Sequence, residues 1–96
     1  MAKSTAAKPY DGQNYETHLV GLWIHNEEPT YLECKRMARL AKQASGNLNA
    51  TYRLADALKD HFEDQRPELE GFWADLLGAA LQSVDWIDLA KDLLAE

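Results

Sequence analysis

The 96 residues suffice for one domain and one modest core, and leave no room for a deep cleft between two domains. Hydrophobic residues make up 46% and charged residues 27%, and no apolar run is long enough to cross a membrane, so composition predicts a soluble globular chain with no membrane-embedded part. The formal net charge of −6 is uneven: residues 1–48 hold six Lys or Arg and five Asp or Glu, and residues 49–96 hold four and eleven. An acidic second half argues against nucleic acid and against anionic membranes as main partners, because both are bound through Lys and Arg. It favours a protein with a basic surface, or serves solubility alone.

Residues 1–13 are rich in Ala, Ser, Lys and Gly and carry no apolar segment of the secretory kind, so they read as a flexible N-terminal tail ahead of a single helical domain over 14–96. Asn14 is placed to cap a first helix that ends near Asn26, with Glu16 and Thr17 supporting its first turn. Tyr15, Leu19, Leu22 and Trp23 recur at helical spacing, with Val20 and Ile24 widening the stripe, and predict the inward face. Pro29 suits the first turn of a second helix reaching Ser45, with Tyr31, Cys34, Met37, Ala38 and Ala41 inward and Gly46 as its stop. Asn49 caps a predicted third helix whose core face is Leu54, Ala55, Leu58 and Phe62. Pro67 opens a fourth, with Phe72, Trp73, Leu76, Leu77, Ala80 and Leu81 inward, and Asp85 caps a fifth built on Trp86, Ile87, Ala90, Leu93 and Leu94. No stretch alternates as a strand does, so the fold class is all-α, a compact bundle of four to five short helices. Truncation of Trp23, Leu58, Phe62 or Leu77 to Ala is expected to cost most, about 2–5 kcal/mol each.

Chemistry is thin in this pattern. His18 and His25 are seven residues apart, whereas a helical metal site takes ligands three or four apart, so neither they nor His61 predicts a metal or a catalytic group. No phosphate loop or dinucleotide fingerprint is present, and the sequence reads as non-enzymatic with no cofactor. Cys34 is the only cysteine, which excludes an internal disulfide and suits a reducing cytoplasm; its neighbours mark it as a small buried residue rather than a nucleophile.

The stretch "YDGQNYETHLVGLWIHNE" resembles small proteins of phages, plasmids and other mobile elements that carry an Asn-Tyr-Glu-Thr-Trp signature, a family described as a domain of unknown function. Asn14, Tyr15, Glu16 and Thr17 match the signature, and His18 stands where the family has Trp. Leu22, Trp23, Ile24 and Asn26 match its continuation, and "ADLLGAALQSVDWIDLAKDLL" is similar to its closing segment, most distinctly at Val84–Asp85–Trp86. The resemblance implies a mobile-element origin in a prokaryotic host and a cytoplasmic protein, and leaves activity open.

Three functions fit. The first is an acidic binding protein that blocks a host defence complex, of the CRISPR or restriction kind, with a DNA-mimic-like surface. Asp56, Asp60 and Asp64 climb one predicted helix in one-turn steps, and Asp85, Asp88 and Asp92 climb another, with Trp86 as an aromatic anchor beside them. The second is a small nucleic-acid-binding or regulatory protein using the basic row Lys35, Arg36, Arg39 and Lys42. The third is a homo-oligomeric accessory or scaffold protein, in the simplest case a homodimer. Solvated helix faces account for either charged row equally well.

Overall fold

The computed structural model describes residues 12–96, apart from the side chains of residues 45–48. The expected tail therefore lies outside the described residues except at its end, where Gln13 donates to Asp88 at 2.8 Å. Four helices follow: α1 over Tyr15–Asn26, α2 over Glu28–Asp64, α3 over Gly71–Gln82 and α4 over Trp86–Ala95, with no strand among the described residues.

The fold is all-α, with one correction to its parts. The two helices expected on either side of Gly46 are one helix of 37 residues. It is not straight. A straight helix would set Lys35 and Phe62 about 40 Å apart. Yet α4, ten residues long, touches both ends of it: Trp86 stacks on Phe62 at 5.7 Å, and the Leu93 carbonyl takes a hydrogen bond from Lys35 at 3.2 Å. The bend thus falls between Lys35 and Phe62, the stretch that holds the Ser45–Gly46 pair, and Gly and Ser are where helices kink without losing their ladder. α4 sits between the two arms of α2. Cys34, Ala38 and Ala41 bury against it from one arm, and Ala50, Leu54, Ala55 and Leu58 from the other. The small residues let the arms close around Leu89, Ala90 and Leu93.

α1 completes this core with a different face from the one its apolar stripe predicts. Thr17 and Ile24 are buried and Val20 packs beside them, whereas Tyr15, Leu19, Leu22 and Trp23 point to solvent. Two polar anchors set this roll. The Asn14 side chain accepts from Thr17 N at 2.8 Å and donates to the Ser83 carbonyl at 2.6 Å, and the Thr17 hydroxyl accepts from the Asp85 amide at 2.8 Å. Gly21 lies against α4, where a Cβ would sit 3.4 Å from Leu89 Cδ2, at van der Waals contact.

α3 is shorter than expected and lies outside the core. Gly71 has φ +60, outside the right-handed region, so residues 66–70 stay non-helical and the helix begins after them. Of its side chains Leu81, in the last turn, packs on the core cluster; Phe72, Trp73 and Leu76 are exposed, and Leu77 is half-buried. In α4, Leu89 takes the buried place expected of Ile87.

Two stability predictions follow from this burial. Leu54→Ala and Leu58→Ala should each cost about 2–5 kcal/mol, while Trp23→Ala should stay within about 0.5 kcal/mol of the parent. Thr17→Val keeps the shape but strands the Asp85 N–H, and should cost about 1–3 kcal/mol. Chemical denaturation midpoints of the purified variants check both.

Candidate binding surfaces

The two acidic rows have different fates. Asp56, Asp60 and Asp64 follow one another at four-residue spacing on the second arm of α2, all exposed, and among the described residues no ion pair holds any of them. Glu68 and Glu70, in the connection after α2, are exposed as well. Asp85 and Asp88 are engaged by the fold, and Asp92 stays exposed beside them. The Asp85 side chain caps α4 by accepting from Asp88 N at 3.0 Å, and Asp88 accepts from Gln13. Burial and the charge of Asp88 raise the Asp92 carboxyl above the usual carboxylate value; His25 opposes the shift and Glu96 adds to it. Trp86 is not the exposed anchor that its terminal position suggests. It is 9% exposed, because the chain turns at Val84–Asp85 and lays the indole on the Phe62 ring.

The basic row is shortened in the same way. The Lys35 ammonium donates to the Leu93 carbonyl and lies 3.5 Å from Glu96, and Arg36 is held in a two-pronged pair with Glu33. Arg39 and Lys42 remain exposed. Burial, with the nearby Glu33 charge, pushes the Cys34 thiol up to about 11, so it stays protonated at neutral pH.

The histidines take separate structural places. The His61 ring accepts from the Gln65 amide at 2.9 Å rather than meeting Asp60 or Asp64. His18 and His25 border a shallow groove between α1 and α4, floored by Gly21 and Leu89 and edged by Asp92. Among the described residues no three His, Cys, Asp or Glu side chains are arranged to hold a metal ion.

His25 instead closes a clasp that the sequence pattern does not reveal. Its Nδ1 faces the Gly21 carbonyl at 2.9 Å and its Nε2 faces the Glu96 carboxylate at 2.7 Å; the second oxygen of Glu96 accepts from the Tyr31 hydroxyl at 2.7 Å. Both ring nitrogens therefore meet acceptors, the arrangement that suits the protonated ring. Burial pulls the proton affinity of His25 down, but the hydrogen bonds to Glu96 and Gly21 and the charges of Glu96 and Asp92 more than reverse it, so its pKa lies above the usual 6.5. For Glu96 burial acts upward, and the Tyr31 and His25 hydrogen bonds with the His25 and Lys35 charges bring its pKa below the usual 4.5. The groups joined lie 65 to 71 residues apart in sequence, so only folding brings them together.

The clasp predicts a pH window. The contribution of His25 is complete below its unfolded value of 6.5 and is lost as pH rises through the higher folded value. That of Glu96 is complete above its unfolded value of 4.5 and is lost as pH falls through the lower folded value. Thermal melting from pH 4 to pH 9 should therefore favour the parent most over Glu96→Gln between these two values, with the advantage shrinking on both sides.

The stretch around Asn14 and the stretch around Val84, which carry the resemblance, meet through the Asn14–Ser83 and Thr17–Asp85 hydrogen bonds. Comparison with protein-family models, with curated proteins and with solved structures finds no match to the chain.

Proposed function

We propose that this chain is a non-enzymatic acidic binding protein of a phage or mobile element, which acts by docking on a basic surface of a host protein. The observation that carries the reading is the row Asp56, Asp60 and Asp64: three exposed carboxylates on one helix face, none engaged in an ion pair among the described residues, in the half of the chain that holds eleven acidic residues. Such a row costs the fold self-repulsion and steers a basic partner. Its steps of about 6 Å approach the spacing of phosphates along a nucleic-acid strand, which suits a groove built for nucleic acid in a defence complex. The choice of a CRISPR or restriction complex as target rests on the resemblance to phage- and plasmid-borne proteins. The row Asp85, Asp88 and Asp92 is less suited to docking, because the first caps α4 and the second accepts from Gln13. The nucleic-acid reading is weakened by the engagement of Lys35 and Arg36 with groups of their own chain.

The test is capture from lysate of a prokaryotic host, followed by affinity measurement on the recovered protein at low and moderate salt. The triple variant Asp56→Asn, Asp60→Asn, Asp64→Asn should fold like the parent, associate more slowly and lose part of the salt dependence. A triple variant that binds like the parent at both salts would reduce the row to a solvated face.

A further inference from the structure

The acidic row leaves α3 without a role, and α3 is the least settled helix in the molecule. Its twelve residues, GFWADLLGAALQ, include one charge, Asp75, and none of them is buried. A helix that is apolar nearly all round belongs in an interior, and one of twelve residues is marginal in water without packing. Phe72, Trp73 and Leu76 are 67%, 62% and 50% exposed on one face, with Ala79 continuing it. Leu19, Leu22 and Trp23 form a second exposed apolar face on α1, whereas Leu32, Leu40 and Tyr52 stand singly along α2.

We infer that α3 is a dimerisation helix: two copies of the chain pair through it, antiparallel, about a two-fold axis at Leu76. The order of large and small residues points to this partner. Trp73 lies three residues before Leu76 and Ala79 three after it; Phe72 lies four before and Ala80 four after. Antiparallel pairing sets each ring over a methyl group of the other copy, twice by symmetry, which is the self-complementarity of an isologous interface. Parallel pairing would stack ring on ring and leave a gap between the alanines.

The face does not end with α3. Asn14 holds the Ser83 carbonyl, so Tyr15, 56% exposed, stands beside the end of the helix, and Leu69, 42% exposed, precedes its start. Taking these exposed fractions of large side chains of ~150–250 Å², complete cover of the five in both copies removes at most roughly 1,200 Å² from water, against the ~1,000 Å² expected of a specific interface. Electrostatics favour the same place. Two chains of net charge −6 repel, and α3 contributes a single carboxylate where the second arm of α2 presents a row.

The test is the mass of the full chain by analytical ultracentrifugation at micromolar concentration, together with cross-linking. The parent should sediment at twice its 10.9 kDa. Trp73→Glu should give a monomer with unchanged helix content, and Trp23→Glu, on α1, should remain dimeric. Leu76→Cys lies on the axis and should oxidise to a cross-linked dimer, whereas Gln82→Cys places its two thiols about 18 Å apart along the helices and should not; Cys34 is buried and does not compete. Should Trp73→Glu fail to fold, the cysteine pair decides alone. A monomeric parent, including one whose α3 face takes up another protein instead, overturns the inference. So does a dimer that survives Trp73→Glu or dissolves with Trp23→Glu, and so does cross-linking through Gln82→Cys in place of Leu76→Cys.

Discussion

The hydrogen bond from the Asp85 amide to the Thr17 hydroxyl is the constraint on which the rest of this fold turns. Thr17 is fully buried and is the one buried polar residue among those described, so both groups would be stranded if α1 rolled or slid. The bond joins the first turn of α1 to the residue that caps α4, and Asn14 adds a second tie to Ser83 beside it. Together they decide which face of α1 is inward. Apolar area alone would choose Tyr15, Leu19, Leu22 and Trp23; the anchors choose Thr17, Val20, Gly21 and Ile24, and four large side chains are left outside.

The same junction decides where α3 goes. With Ser83 and Asp85 held against α1, and Trp86 stacked on Phe62, the chain between Gln65 and Ser83 must leave the end of α2 and come back to nearly the same place. α3 is that excursion, and only its last turn, at Leu81, reaches the core. The interior is filled without it by α4 between the two arms of α2, small residues on the arms letting them close. The clasp of His25, Tyr31 and Lys35 around Glu96 secures the far end of α4 as the Thr17 anchor secures its start.

Surface chemistry divides along these lines. Near α1 and α4 carboxylates are engaged by the fold: Asp85 caps α4, Asp88 accepts from Gln13 and Glu96 closes the clasp. Among the described residues, Asp56, Asp60 and Asp64 on the second arm of α2 take part in no ion pair and stay exposed. The exposed aromatic side chains are likewise left over from the choice of faces that the buried anchors impose.

Much of this was legible in the sequence. Helix periodicity, the absence of alternating strands, the caps at Asn14 and Asp85, the entry of α2 near Pro29 and the core positions Leu54, Ala55 and Leu58 all follow from local rules of backbone and burial. Gly46 was legible as a weak point, but local signals cannot tell a stop from a helix that continues; α2 runs on through Gly46 and bends between Lys35 and Phe62 so that both arms meet α4. Trp23, Phe72 and Trp73 were not legible, because an apolar side chain at helical spacing predicts a face and not what meets it; Trp86, expected on the inward face of the last helix, is buried there. The fates of the acidic and basic residues were hidden for the same reason. Asp56 and Asp88 look alike along the chain, and only folding left one an exposed charge and brought the other against Gln13. By itself the sequence determined that the chain is helical and placed the caps at Asn14 and Asp85, which depend on neighbours three or four residues away, but it set a false boundary at Gly46 and Asn49, which lie inside α2. Tertiary structure alone decided which faces are buried, since that rests on contacts such as Thr17 with Asp85 and His25 with Glu96, 68 and 71 residues apart.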